Sequence, residues 1–216
     1  MQVISLTSKE VTYLAERDFR LRHLMQHIGD LEYDPPETAF HSLAHSIIEQ
    51  MLSMKAGRAI ESRLVVRCDG ALVPERVREL AVEEVKACGM SLRKAQSLHS
   101  LAEYAIENDL ETLRYASDAE VTATLQKLPG IGKWTCDMFL LFYLERPDIL
   151  PIEDGALRQS FGWLYGVPVT SKDAQKAICS LWQPCSSVAV RYLYRALNMG
   201  LPKSLPCSDL LWSKSR

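Results

Sequence analysis

The stretch Leu128-Pro129-Gly130-Ile131-Gly132-Lys133-Trp134-Thr135 interrupts a chain that otherwise reads as helix. Helical apolar spacing leads into it from Ser117-Asp118 and resumes from Trp134 to Leu144. A proline and two glycines inside such a pattern make the chain fold back as a hairpin. Glycine permits φ > 0 and lets another group come close to the main chain. Two helices joined this tightly leave the first amides of the second helix unpaired, and the helix dipole adds positive charge there. Such a turn suits a phosphate, and Lys133 places a cation beside it. The same glycines equally suit close helix packing, and the spacing alone does not choose.

Outward from the hairpin the helical period continues in both directions, and no window alternates as a strand does. Thr7-Ser8-Lys9-Glu10 reads as a capping box opening a helix to about Ile28, which Gly29 stops. Asp34-Pro35-Pro36-Glu37 starts a second helix, over 37–53, that turns Phe40, Leu43, Ile47, Ile48, Met51 and Leu52 toward a core. Further helices are expected over 56–67, 83–88, 92–107, 154–165 and 187–199, with another capping box at Thr170 and Asp173. The tail from Leu201 contains Pro and Ser and reads as irregular. An all-α protein follows.

A length of 216 residues allows one domain or one compact unit of two lobes. No apolar run approaches the roughly 18 residues of a membrane span. The start, MQVISLTSKE, lacks the regions of a signal peptide, so a cytoplasmic protein is expected. Cysteines 68, 88, 136, 179, 185 and 207 are scattered and read as reduced thiols. The nearest pair, Cys179 and Cys185, has no second pair at metal-site spacing, which argues against zinc or an iron–sulfur cluster. His41 and His45 share a helix face but have no evident third ligand, and read as surface or capping histidines. A net charge of −2 argues against electrostatic coating of nucleic acid, yet permits a grip on DNA through backbone amides and a few cations.

Pro151-Ile152-Glu153-Asp154 marks another helix start. A carboxylate there is favoured in its ionised form and suits the stabilisation of a developing positive charge. It is also an ordinary N-cap, worth about 1 kcal/mol.

In order along the chain, Ser46-Ile47-Ile48-Glu49-Gln50-Met51-Leu52-Ser53, Cys88-Gly89-Met90-Ser91-Leu92-Arg93-Lys94-Ala95, the hairpin, Leu150-Pro151-Ile152-Glu153-Asp154 and Leu181-Trp182-Gln183-Pro184 resemble the helix-hairpin-helix DNA glycosylase superfamily. The likeness is strongest to its bacterial 3-methyladenine DNA glycosylase II branch and spans roughly 36–200. It implies two helical lobes with the hairpin at their cleft. Residues 36–144 would form a helical-barrel lobe ending in the hairpin, and 1–35 with 145–216 the second lobe.

The resemblance implies a monomer that acts on double-stranded DNA containing damaged bases. Gly130, Ile131, Gly132, Lys133 and Thr135 would contact a phosphate, with a Na+ or K+ ion bridging the backbone at Gly130 and Gly132. Met51 would fill the gap left by a flipped nucleotide, flanked by Gln50 and Ser53 on the DNA. Asp154 would be catalytic, and Trp134, Met138, Trp182 and Cys185 would line the base pocket. Met138 and Cys185 depart from the pattern, since aromatic residues are expected at both stations. Trp134 stands where strand-nicking relatives carry a lysine, and the four-cysteine cluster of one branch is missing. A monofunctional hydrolase of alkylated purines such as 3-methyladenine and 7-methylguanine is therefore expected. The alternative is a helix-hairpin-helix protein that binds abasic or distorted DNA without catalysis, which would need the hairpin but not Asp154.

Overall fold

A computed structural model describes residues 1–167 and 171–212. The chain divides into two compact units, Met1–Pro35 with Glu145–Arg216, and Pro36–Leu144.

In the first unit a short strand, β1 (Gln2–Ile4), precedes α1 (Lys9–Arg17) and α2 (Phe19–Ile28), and β2 (Leu31–Tyr33) returns antiparallel to β1 with Val3 opposite Glu32. Strands this short lie below what alternation can reveal in a sequence. The single helix expected up to Ile28 is broken at Asp18, which is extended (φ −129°, ψ 99°) and 4% exposed. Its Oδ1 accepts from the Leu21 amide (2.9 Å), while Oδ2 accepts from Tyr165 (2.6 Å) and from Trp182 Nε1 (2.8 Å). A buried carboxylate is tolerated when its lone pairs are filled this way. The break is thus set by partners far along the chain.

The second unit opens with α3 (Ala39–Glu49), whose first turn is capped by Thr38, and which buries Phe40, Leu43, Ala44, Ile47 and Ile48. It ends four residues before the expected 53. Met51 takes φ +59° and is fully exposed, and Leu52 is 41% exposed, so neither joins the core. Ser53 caps α4 (Met54–Arg67). There follow α5 (Pro74–Glu79), α6 (Val82–Ala87), the Ser91-capped α7 (Leu92–Glu107), a 3₁₀ turn at Leu110–Tyr115, and α8 (Asp118–Leu125), opened by a Ser117–Glu120 capping box. The helix expected from Trp134 to Leu144 is α9 (Lys133–Met138), running directly into a π-helical turn, Phe139–Tyr143. Packing centres on α3, against α4, α7 and the π turn.

The chain then returns to the first unit with α10 (Gly155–Tyr165), α11 (Lys172–Cys179) and α12 (Ser186–Asn198), where α10 and α2 pack on α12. Thr170 of the expected capping box lies outside the described residues. The tail is not irregular: it forms α13 (Leu201–Ser204) and α14 (Cys207–Trp212), burying Leu201 and Leu210. Pro202 sits in the first turn of α13, where a missing N–H is harmless.

All six cysteines are free. Burial pushes the thiols of Cys68 and Cys136 up to about 11 and that of Cys179 to about 12, and also raises those of Cys88, Cys185 and Cys207.

Candidate active site and nucleic-acid interface

After α8 the hairpin closes on an Ile131 amide to Leu128 carbonyl bond of 3.2 Å. Its two glycines answer to different demands. Gly130 has φ +80°, and a Cβ there would lie 2.0 Å from Ser97 Oγ, so both conformation and packing on α7 require glycine. Gly132 is extended (φ −100°, ψ −178°), and a Cβ there would meet nothing within 4 Å. It stands at the N-cap of α9 with no side chain to offer the first-turn amides. Packing therefore accounts for Gly130, while Gly132 leaves a helix N-terminus open to an external acceptor.

Several residues nominated for DNA contact have other partners. Lys133 Nζ pairs with both oxygens of Asp137 (2.8 and 2.7 Å), an i,i+4 pair visible in the sequence but not singled out there. Ile131 is buried, and Thr135 is only 1% exposed. Gln50 turns inward, where its Nε2 donates to the Gly130 carbonyl and to Thr135 Oγ1, both at 2.9 Å. Gln50 and Thr135 thus form an internal cross-link rather than a DNA-facing surface. The Ser53 hydroxyl accepts from the Ala56 amide (3.3 Å) as a helix cap. Met51 stands fully in solvent, and Ser53 is also exposed.

Lys94, whose nominated segment carried no role for it, donates to the carbonyls of Ile48 (2.7 Å) and Gln50 (2.6 Å) at the end of α3. His41 Nε2 and His45 Nδ1 contact the two oxygens of Glu61 at 2.8 and 2.7 Å, tying α3 to α4. Hydrogen bonds with Glu49 and Glu61 raise the His45 pKa to about 10, against the opposing effect of burial. Burial would raise Glu61, but its bonds to His41 and His45 prevail and bring it down to about 2.

The carbonyls of Gly130 and Gly132 each accept one hydrogen bond, the first from Gln50 and the second from the Cys136 amide of α9 (3.1 Å), which leaves each a second lone pair. Among the described residues no group of three or more His, Cys, Asp or Glu side chains could hold a metal. No helix among them is long and apolar enough to cross a membrane.

Of the nominated pocket residues, Trp134 is half-buried on α9, with Met138 one turn on and 7% exposed. Cys185 is half-buried at the N-cap position of α12, its amide donating to the Trp182 carbonyl (2.7 Å). Trp182 has no exposed surface and is held by Asp18, so it belongs to the core rather than to a pocket wall.

Asp154 is the half-buried N-cap of α10, with Oδ1 accepting from the Leu157 amide at 2.7 Å. The Asp154 amide bonds the Pro151 carbonyl (2.9 Å), and Arg158 Nε, one turn along α10, bonds the Ile152 carbonyl (2.7 Å). The carboxylate is thereby fixed at the helix N-terminus from two sides. Capping engages Oδ1 of the group.

The family profile of HhH-GPD superfamily base excision DNA repair proteins matches residues 44–185. The chain belongs to this superfamily. The HhH-GPD match takes in the Met51 loop, the hairpin and the Asp154 turn. DNA-3-methyladenine glycosylase 1 of Schizosaccharomyces pombe is 30% identical over 208 residues, covering 91% of this chain and 90% of its own. The crystal structure of a DNA-3-methyladenine glycosidase from Bacillus halodurans superposes with a TM-score of 0.80 at 31% identity, covering 98% of this chain and 99% of that one. A 3-methyladenine DNA glycosylase of Schizosaccharomyces pombe in complex with abasic DNA superposes with a TM-score of 0.81 at 28% identity, covering 88% and 97%.

Proposed function

We propose that this HhH-GPD protein is a monofunctional DNA glycosylase that hydrolyses the N-glycosidic bond of flipped-out alkylated purines, 3-methyladenine and 7-methylguanine among them, and leaves an abasic site. Near full-length likeness to proteins named for 3-methyladenine supports the substrate class. The observation that carries the mechanism is Asp154, a half-buried carboxylate whose Oδ1 caps the N-terminus of α10.

A target base leaves the stack at a cost of a few kcal/mol, lowest for damaged pairs. Exposed Met51 fills the vacated space as an apolar wedge. The uncapped amides at Gly132 receive a backbone phosphate. Breaking the bond between C1′ and the base nitrogen sends the electron pair out with the base and leaves an oxocarbenium-like sugar. Asp154 stabilises that charge and orients the water whose oxygen adds to C1′, while the proton goes to solvent. A purine alkylated at N3 or N7 is cationic and departs neutral, so no general acid is required. The half-buried Trp134 offers an electron-rich face to such a base. With Met138 and Cys185 at two stations and Trp182 in the core, selectivity rests mainly on Trp134. Schiff-base chemistry needs an amine, and tryptophan at 134 supplies none, so the abasic strand stays intact.

Base release from methylated duplex DNA, with products identified by mass, tests this reading in the native chain and in Asp154→Asn. Asparagine is a good N-cap, so the variant keeps the fold while losing the charge. Release of 3-methyladenine and 7-methylguanine that drops on the order of 10²–10³-fold in the variant is expected. Binding of abasic duplex with no release by the folded native chain would instead favour a non-catalytic DNA-binding protein.

A further inference from the structure

One turn of α7 touches both elements assigned above to DNA. Lys94 holds the last carbonyls of α3, at Ile48 and Gln50. Ser97, three residues on, fills the space beside Gly130. Gln50 completes the connection, since its carbonyl takes the Lys94 ammonium while its side-chain amide reaches Gly130 and Thr135. Drawing an ammonium out of water is costly, and desolvation lowers the Lys94 pKa. The two carbonyls and the negative end of the α3 dipole offset that cost.

Met51 directly follows Gln50 and holds φ +59°, a region that costs a non-glycine residue about 1–2 kcal/mol. Such strain persists only where neighbouring groups over-determine the backbone. Here Gln50 is fixed at both its main chain and its side chain, and the Glu61 bonds to His41 and His45 hold the other flank of the loop.

The geometry points to Gln50 and Lys94 as positioning residues that couple the Met51 loop to the hairpin, so that wedge insertion and phosphate seating occur as one event. This rests on the DNA roles proposed for Met51 and the hairpin. Each element would otherwise engage DNA independently. Joined by one glutamine, a phosphate seated at the hairpin favours the loop conformation that presents Met51, and an inserted Met51 tightens the hairpin.

The test uses the full chain, as Lys94→Met and Gln50→Leu, each with and without Met51→Ala. Amide hydrogen exchange of the free protein is read at residues 130–135, none of which Lys94 contacts through the hydrogen bonds described here. Lys94→Met is expected to speed hairpin exchange about tenfold, and to add nothing once Gln50→Leu is present. On a duplex carrying a tetrahydrofuran abasic analogue beside 2-aminopurine, each variant should raise the apparent Kd about tenfold with Met51 present. With Met51→Ala the same changes should cost less than about twofold. Lys94→Arg, which keeps the donor and the charge, should restore both readouts.

Exchange that rises in the loop only, or equal losses with and without Met51, would overturn the coupling. Because exchange is read without DNA, it decides the coupling even if no alkylated base is released, a result that would count against the glycosylase reading alone. If Lys94→Met does not fold, Gln50→Leu against Met51→Ala completes the same cycle.

Discussion

The N-termini of α9 and α10 both follow turns containing a proline, yet they are finished in opposite ways. At α9 the N-cap is Gly132, with no side chain and open space around the missing Cβ. At α10 it is Asp154, whose own oxygen takes the Leu157 amide. Elsewhere in the second unit α3, α4, α7 and α8 carry Ser or Thr caps, while α5 and α6 start at Val73 and Ala81 without one. Under the proposed function one local device would serve two chemistries, the unfilled N-terminus taking an anion from outside and the filled one holding its own anion against an incoming cation.

The contrast can be broken most severely at α10. Asp154→Asn should abolish most base release, by the 10²–10³-fold given above, and leave the denaturant midpoint nearly unchanged. Next is Gly130→Ala, which forces a Cβ into Ser97 at 2.0 Å and strains a positive φ. A loss of about 3 kcal/mol in unfolding free energy is expected from urea titration. Gly132→Asp sharpens the comparison by making α9 begin as α10 does. It should stabilise the fold by a few tenths of a kcal/mol, yet weaken binding to abasic duplex on the order of tenfold as the new carboxylate repels phosphate. A result with both affinity and stability unchanged would remove the phosphate role from Gly132.

The smallest effect concerns pH. The His45–Glu61 cluster lies only in the unit that carries α9. His45 is raised on folding, so its contribution is full below about 6.5 and is lost as pH rises through about 10. Glu61 is lowered, so its contribution is present above about 4.5 and is lost as pH falls through about 2. Melting temperature should therefore plateau between those limits and decline on both sides, and His45→Gln should flatten the alkaline decline.

Hairpin, helix starts and core faces were legible because each is encoded within a few residues. Pro129, Gly130 and Gly132 mark a turn, Ser117-Asp118 a helix start, and α3 shows its apolar stripe. What the sequence hid depends on distant partners. Asp18 breaks a helix because Tyr165 and Trp182 bond to it. Met51 fits a helical stripe by spacing, and leaves it because Lys94 and Gln50 end α3 early. Trp182 resembles a pocket residue by motif, and only its burial shows it to be core. Gln50, Ser53 and Thr135 match DNA-contacting stations by position, whereas their side chains bond to the hairpin, to each other or to the start of α4.

The shielded thiols bear on the chemical surroundings of such an enzyme. Agents that methylate purines are electrophiles, and a thiolate is the strongest soft nucleophile a protein offers them. A thiol near 8.5 is a few per cent thiolate at neutral pH, whereas one near 11 or 12 is roughly one part in 10⁴ to 10⁵. Cys68, Cys136 and Cys179, the thiols raised furthest by burial, therefore present little thiolate to such reagents.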